Sequence, residues 1–159
     1  MTEKFLADFM LGRLTRTLRL LGIDTAYINV QDDNLSNPLA ILKEAQAGGR
    51  ILLTRNTKLI GYPSVVFIKS EKIEEQITQI IKSCRLEKDI KPFSRCLICN
   101  EVLVSVVKPS VKGRVPFFVF QTKNEFSICP KCQKIYWSGT HEKNMRKIVE
   151  KLTKQLKKD

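Results

Sequence analysis

The chain is short of histidine, of acid and of long apolar runs, and each shortage removes a class of answers. His141 is the single histidine among 159 residues, and the chain shows no Ser–His–Asp arrangement. A lone histidine reads first as a structural or surface residue. No P-loop and no GxGxxG stretch occurs. Every apolar segment falls short of the roughly 20 residues that a membrane helix needs. The first residues carry Glu3 and Asp8 among apolar ones and do not read as a signal peptide. No internal repeat or long low-complexity segment is present. Acid is outnumbered, with 16 Asp+Glu against 28 Lys+Arg and a net charge of +12. The deficit is uneven: residues 1–91 hold 14 cations against 11 acids, residues 92–159 hold 14 against 5. A surface this basic gathers polyanions, of which nucleic acid is the commonest. An anionic membrane surface or an acidic protein fits the charge alone.

What is present is cysteine in a telling pattern. Cys96-Leu-Ile-Cys99 and Cys129-Pro-Lys-Cys132 are two CxxC pairs. Each pair can turn both sulfurs onto one ion, and two pairs close a tetrahedron, the ligand set of a structural zinc ribbon with one Zn²⁺ per chain. Two disulfides are the alternative. Metal spacing in four of five cysteines favours a reducing, cytoplasmic compartment. The fifth, Cys84, falls on the apolar stripe of a predicted helix and reads as a small core residue.

Periodicity divides the chain. Lys4–Asp8 reads as a buried strand ending in an acid. A helix is expected from about Leu11 to Leu21, with Leu11, Leu14, Leu18 and Leu21 on one face and Arg13, Arg16 and Arg19 on the other. Gly22 ends it. Strands are expected at Thr25–Val30, Ile51–Thr54 and Ser64–Ile68. Asn37-Pro38 opens a helix that closes at Gly48-Gly49, and a further helix spans about Glu71 to Arg85. This alternation is that of an α/β domain with a mostly parallel sheet over residues 1–91. Lys88–Phe93 reads as a linker. Residues 92–159 then hold a ribbon, with strand-like runs at Val102–Val107 and Pro116–Gln121, and a last helix capped by Thr140. Its apolar stripe is Met145, Ile148, Val149, Leu152 and Leu156, and lysines crowd the remainder.

Carboxylates are the remaining chemical candidates. In parallel sheets ligands gather at the C-terminal ends of the strands, where Asp8 and Asn56 both fall. Acids there can hold Mg²⁺ or Mn²⁺, which activate water in phosphodiester cleavage. Asp24, Asp32 and Asp33 are further candidates; Asp24 can equally cap a turn, and Asp32 and Asp33 can equally sit in a solvated loop.

The runs Phe5-Leu-Ala-Asp8-Phe-Met-Leu-Gly-Arg-Leu14, Leu18-Arg-Leu-Leu-Gly22-Ile-Asp24-Thr25 and Gly49-Arg-Ile-Leu-Leu-Thr-Arg55, with both CxxC pairs and Trp137-Ser-Gly-Thr-His141, resemble the Mut-seven C-terminal ribonuclease domain family. The resemblance runs in order along nearly the whole chain. It implies a PIN-like three-layer α/β domain, a small zinc-ribbon module and a basic C-terminal helix. It implies hydrolysis of single-stranded RNA with acid-bound Mg²⁺ or Mn²⁺; the short apolar runs, for their part, lead to the expectation of no membrane partner. On that pattern Asp8 is the central metal ligand, Asp32 or Asp33 a second and Asn56 a weaker third. The family usually reads Thr-Arg-Asp where this chain reads Thr54-Arg55-Asn56. Arg13, Arg16 and Arg55 would meet phosphate. Lys134, Trp137, His141, Arg146 and Lys147 would hold the strand, with Trp137 or Tyr136 stacking on a base, or Trp137 packing between ribbon and sheet. Two other readings stay open: an RNA-binding module that has lost the chemistry, and a protein-interaction adaptor.

Overall fold

The computed structural model describes residues 2–29, 35 and 37–158, and the side chains of all of these except Thr140, His141 and Met145. Four short strands form the first sheet: β1 (Phe5–Ala7), β2 (Thr25–Tyr27), β3 (Ile51–Thr54) and β4 (Val65–Phe67). All pair in parallel, in the order β2-β1-β3-β4. Helix α1 (Gly12–Leu20) joins β1 to β2, α2 (Pro38–Ala47) lies between β2 and β3, and α3 (Ile73–Cys84) follows β4.

Strand alternation sets the layers. Phe5, Ala7 and Leu53 point to one face, where they meet Leu14, Leu18, Ile77, Ile80 and Ile81 of α1 and α3. Leu6 and Leu52 point to the other, against Ile41, Leu42 and Ala45 of α2. The expected Asn37 cap is present: its side chain accepts from the Leu39 N–H, with Pro38 at the first helical position. Cys84 packs against the first core, and burial pushes its thiol pKa up, as suits a core residue.

The ribbon is a second, antiparallel sheet of β5 (Val104–Val106), β6 (Phe126–Ile128) and β7 (Ile135–Trp137). The run Pro116–Gln121, expected as a strand, is instead largely helix α4 (Phe117–Thr122). Its β-rich composition is overridden because a helical turn brings Val119 and Phe120 together onto Phe126, whereas a strand would send them to opposite faces. The last helix, α5 (Thr140–Lys157), is preceded by Gly139 at the cap position expected for Thr140. Val149 and Leu152 are buried in the first core, beside α3, while Ile148, expected on the same stripe, stays 47% exposed. Among the described residues no helix is long and apolar enough to cross a membrane.

The stretch over 88–93 lies along the end of α1, where the Lys91 and Phe93 N–H groups donate to the Leu21 and Leu20 carbonyls. Gly22 makes this possible. Its φ is +83°, and a Cβ there would sit 2.2 Å from the Lys91 carbonyl oxygen. Gly22→Ala should cost roughly 2–4 kcal/mol of stability, because strained backbone and a rigid backbone neighbour act together. Urea unfolding measures it, and a loss under about half a kcal/mol would show that the segment can move aside.

Candidate active site and metal centre

The chain order of the strands fixes where a site can form. From β1 the chain goes outward to β2, then returns past β1 to β3, so the crevice beyond β1 and β3 is where the winding reverses. Open α/β sheets bind ligands at such a point. Asp8 leaves the end of β1 there, and Thr54 closes β3 beside it. The Asp8 backbone N–H donates to the Leu53 carbonyl at 3.0 Å. The Thr54 hydroxyl donates to Asp8 Oδ2 at 2.8 Å and accepts from the Asn56 N–H at 3.0 Å. Asp8 is 3% exposed, and its Oδ1 is buried with no hydrogen-bond partner among the described residues. A buried anionic oxygen without a partner is costly. An oxygen so placed is able to serve as a cation ligand.

Asn56 lies two hydrogen bonds from Asp8, but its own Oδ1 accepts from the Lys58 N–H at 3.0 Å and caps a short 3-10 turn over Thr57–Leu59. Asp32 and Asp33 lie outside the described residues. Arg13 and Arg55 line one cleft of about 240 Å³ beside the start of α1, with Met10, Glu71 and Gln76. Arg55 is held there by the Ser70 carbonyl at 2.6 Å and by Glu71 at 3.5 Å. Arg16 is exposed on α1 and Lys147 on α5. Lys134 lies over the Tyr136 ring, and Arg146 pairs with Glu142 and stacks over Phe93. Trp137 packs into the ribbon's own cluster of Val111, Val115 and Phe126. The His141 side chain lies outside the described set. Phe9 and Tyr27 are exposed aromatics next to Asp8 that the sequence reading passed over; the Tyr27 hydroxyl donates to the Phe9 carbonyl at 2.6 Å.

The four expected cysteines come together. Their sulfurs all lie within 4.8 Å of one another, and the Cys96 and Cys132 sulfurs are 3.8 Å apart. Zn–S bonds of about 2.3 Å in a tetrahedron put sulfurs about 3.8 Å apart, so the cluster is sized for zinc. Among the described residues no other group of three or more His, Cys, Asp or Glu forms such a cluster. The two pairs are built alike. The Cys99 N–H donates to the Cys96 sulfur and the Cys132 N–H to the Cys129 sulfur. Asn100 and Gln133, each directly after a pair, take left-handed φ of 67° and 64°. Burial pushes the Cys96 thiol up, but the Tyr136 hydroxyl and backbone N–H groups outweigh it and bring its pKa down to about 6. Burial and neighbouring sulfurs push Cys99 up to about 12. Such splitting is expected when four thiols share one small space, and a bound cation would favour all four thiolates.

Arg19, expected on the exposed side of α1, is only 8% exposed. Its guanidinium donates to the Thr25 carbonyl and to the carbonyls of Leu97 and Ile98, the two residues inside the first CxxC. The metal turn is thereby tied to β2. Asn100 reinforces the tie: its Oδ1 accepts from the Thr25 N–H, and its amide donates to Asp24 at 2.7 Å. Asp24 also pairs with Arg50 at 2.7 Å and faces Arg95 at 3.9 Å. Asp24 is therefore a structural hub and not part of the Asp8 crevice.

The model of the Mut7-C RNAse domain matches residues 3–149. The chain belongs to the Mut7-C RNAse domain family. No curated protein and no solved structure matches it. Membership assigns the Mut7-C chain a ribonuclease-type function, and the match takes in both the Asp8 crevice and all four cysteines.

The Asp24 hub gives this Mut7-C domain a pH signature. Burial pushes the Asp24 carboxyl up, but hydrogen bonds from Arg50 and Asn100 and the charge of Arg95 outweigh it and hold the carboxyl below its usual range. A lowered folded pKa adds stability above the unfolded value of about 3.9, and that stability is lost as pH falls through the folded value. Asp24→Asn should thus cost about 1–2 kcal/mol at pH 7. The gap to the parent should narrow below about pH 4. Both proteins lose thiolate-held metal alike in acid, so urea unfolding of the pair across pH isolates Asp24. A gap constant in pH would show that Asp24 acts by shape alone.

Proposed function

We propose that this protein is a divalent-cation-dependent ribonuclease acting on single-stranded RNA. The observation that carries the reading is the buried Asp8 Oδ1, without a partner among the described residues, at the point where the parallel sheet reverses its winding. Asp8 would hold Mg²⁺ or Mn²⁺ with Asp32 or Asp33, and Thr54 would keep the carboxylate oriented through its hydroxyl. The cation would supply an activated water and charge neutralisation at the scissile phosphate. Asn56 serves this arrangement through its backbone, tethered to Thr54. Arg13 and Arg55 supply positive charge in the neighbouring cleft, and Phe9 and Tyr27 offer ring faces for unpaired bases beside Asp8. One Zn²⁺ on Cys96, Cys99, Cys129 and Cys132 would be structural, closed to water by its four sulfurs.

The test is incubation of the purified zinc-loaded protein with labelled single-stranded RNA, with and without Mn²⁺. Cleavage that requires the cation supports the proposal. Binding with a steep salt dependence but no cleavage under any divalent cation would favour a binding module, and no binding at moderate salt would favour an adaptor.

A further inference from the structure

We propose that the outer face of the segment between β5 and β6 is a stacking platform for single-stranded RNA, with Phe117 and Phe118 as its rings and Lys112 and Arg114 as its phosphate contacts. This rests on the RNA-directed reading above and names a surface remote in sequence from Asp8 that would hold the strand.

The segment is anchored from beneath. Val111 and Val115 are buried, and with Val119 and Phe120 they pack on Phe126 and Trp137. Lys108 lies over the Phe120 ring at 5.1 Å and donates to Asn124 Oδ1 at 3.3 Å, which holds the entry and exit of the segment together. With the inward positions filled, Phe117 and Phe118 are left 75% and 72% exposed. Among the described residues no other aromatic exceeds 44%. Two adjacent rings displayed on a well-packed base are not a packing failure.

Charge chooses the partner. Residues 102–124 contain four cations, Lys108, Lys112, Arg114 and Lys123, and no acid. Lys112 and Arg114 are exposed, and no salt bridge among the described residues engages them. Flat rings with unpaired cations and no acid suit a chain that repeats a π-face and a negative charge at every unit. Single-stranded nucleic acid is such a chain, and every base offers a face. In a duplex those faces are already stacked, so the platform should prefer the single strand. Trp137, for which stacking on a base and packing were both open, is part of the floor.

The experiment uses the full zinc-loaded protein without other divalent cations, so that binding is read free of cleavage. Fluorescence anisotropy follows an unstructured RNA oligomer and a duplex of the same length. Phe117→Leu/Phe118→Leu keeps apolar area but removes the ring faces. It should weaken single-strand binding about tenfold or more and leave the salt slope unchanged. Lys112→Ala/Arg114→Ala should lower the slope of log affinity against log salt by about 1–2. Phe118→Trp should keep the affinity, and RNA should quench the fluorescence that this variant gains over the parent. The surface variants should retain zinc and circular dichroism. Unchanged affinity in the leucine variant, no RNA quenching of the fluorescence gained in Phe118→Trp, or a parent that does not bind single strands overturns the platform. So would a dimer of the parent that Phe117→Ser/Phe118→Ser disperses with RNA affinity unchanged, since the rings would then serve a second copy. Cation-dependent cleavage is scored separately, so the ribonuclease reading can survive the loss of the platform.

Discussion

Cys96→Ser should empty the metal centre and unfold the ribbon. Structural zinc held by four cysteines contributes on the order of 10 kcal/mol or more of folding free energy. The ribbon has little else: its core is Val111, Val115 and Phe126, with half-buried neighbours. Cys96 is fully buried and is bonded by the Tyr136 hydroxyl and the Cys99 N–H, so a serine there leaves a hard oxygen where the ion wants sulfur. The effect should not stop at the ribbon. Without the turn at Leu97 and Ile98, Arg19 loses two of its three acceptors while still buried, and Thr25 loses the Asn100 side chain. Backbone exchange protection should therefore fall in β2 as well as in β5–β7. Metal analysis should show zinc dropping from near one per chain toward zero, and amide exchange reports the spread. A metal-free protein with the ribbon amides still protected would defeat the prediction.

Asp8→Asn should separate stability from activity. Cleavage should fall by roughly a hundredfold or more, since a carboxylate that holds the cation becomes a neutral amide. Stability without divalent cation should rise by about 1 kcal/mol, because the parent buries an anionic oxygen that no described residue satisfies. The isosteric side chain can still accept from Thr54, so the turn should keep its shape. A readout independent of turnover follows: Mn²⁺ should raise the Tm of the parent and leave that of the variant unmoved. Should the variant cleave at the parent rate, Asp8 is not a ligand. A fall in stability would instead mean that the charge is satisfied by a group beyond the described residues.

Features with local signals were legible in the amino-acid sequence. Leucines at helical spacing in 11–21, the Asn37-Pro38 start and the continuous apolar run at 51–54 were enough to name the α/β layers, because helix and strand periods are read within a single element. The cysteine pairs marked the metal centre for the same reason, since each CxxC is one turn. Asp8 could be placed at the end of β1 from the same local pattern, but whether it caps a turn or holds a ligand is not a local property. Features that depend on distant parts of the chain emerged only from the folded arrangement. Periodicity put Arg19 on the polar side of α1 correctly as geometry, but the ribbon arrives there from residues 97–98 and buries it. Asp24 looked like a crevice candidate until Arg50, Arg95 and Asn100 converged on it. Asn56 was expected to turn its amide toward the cation, whereas its side chain caps the turn that carries it. Pro116–Gln121 has strand residues, yet Phe126 offers a surface that only a helical turn can cover with Val119 and Phe120. That same choice leaves Phe117 and Phe118 facing water. In each case the residue's own preference was weaker than the burial, charge or hydrogen bond supplied by a part of the chain far from it in sequence.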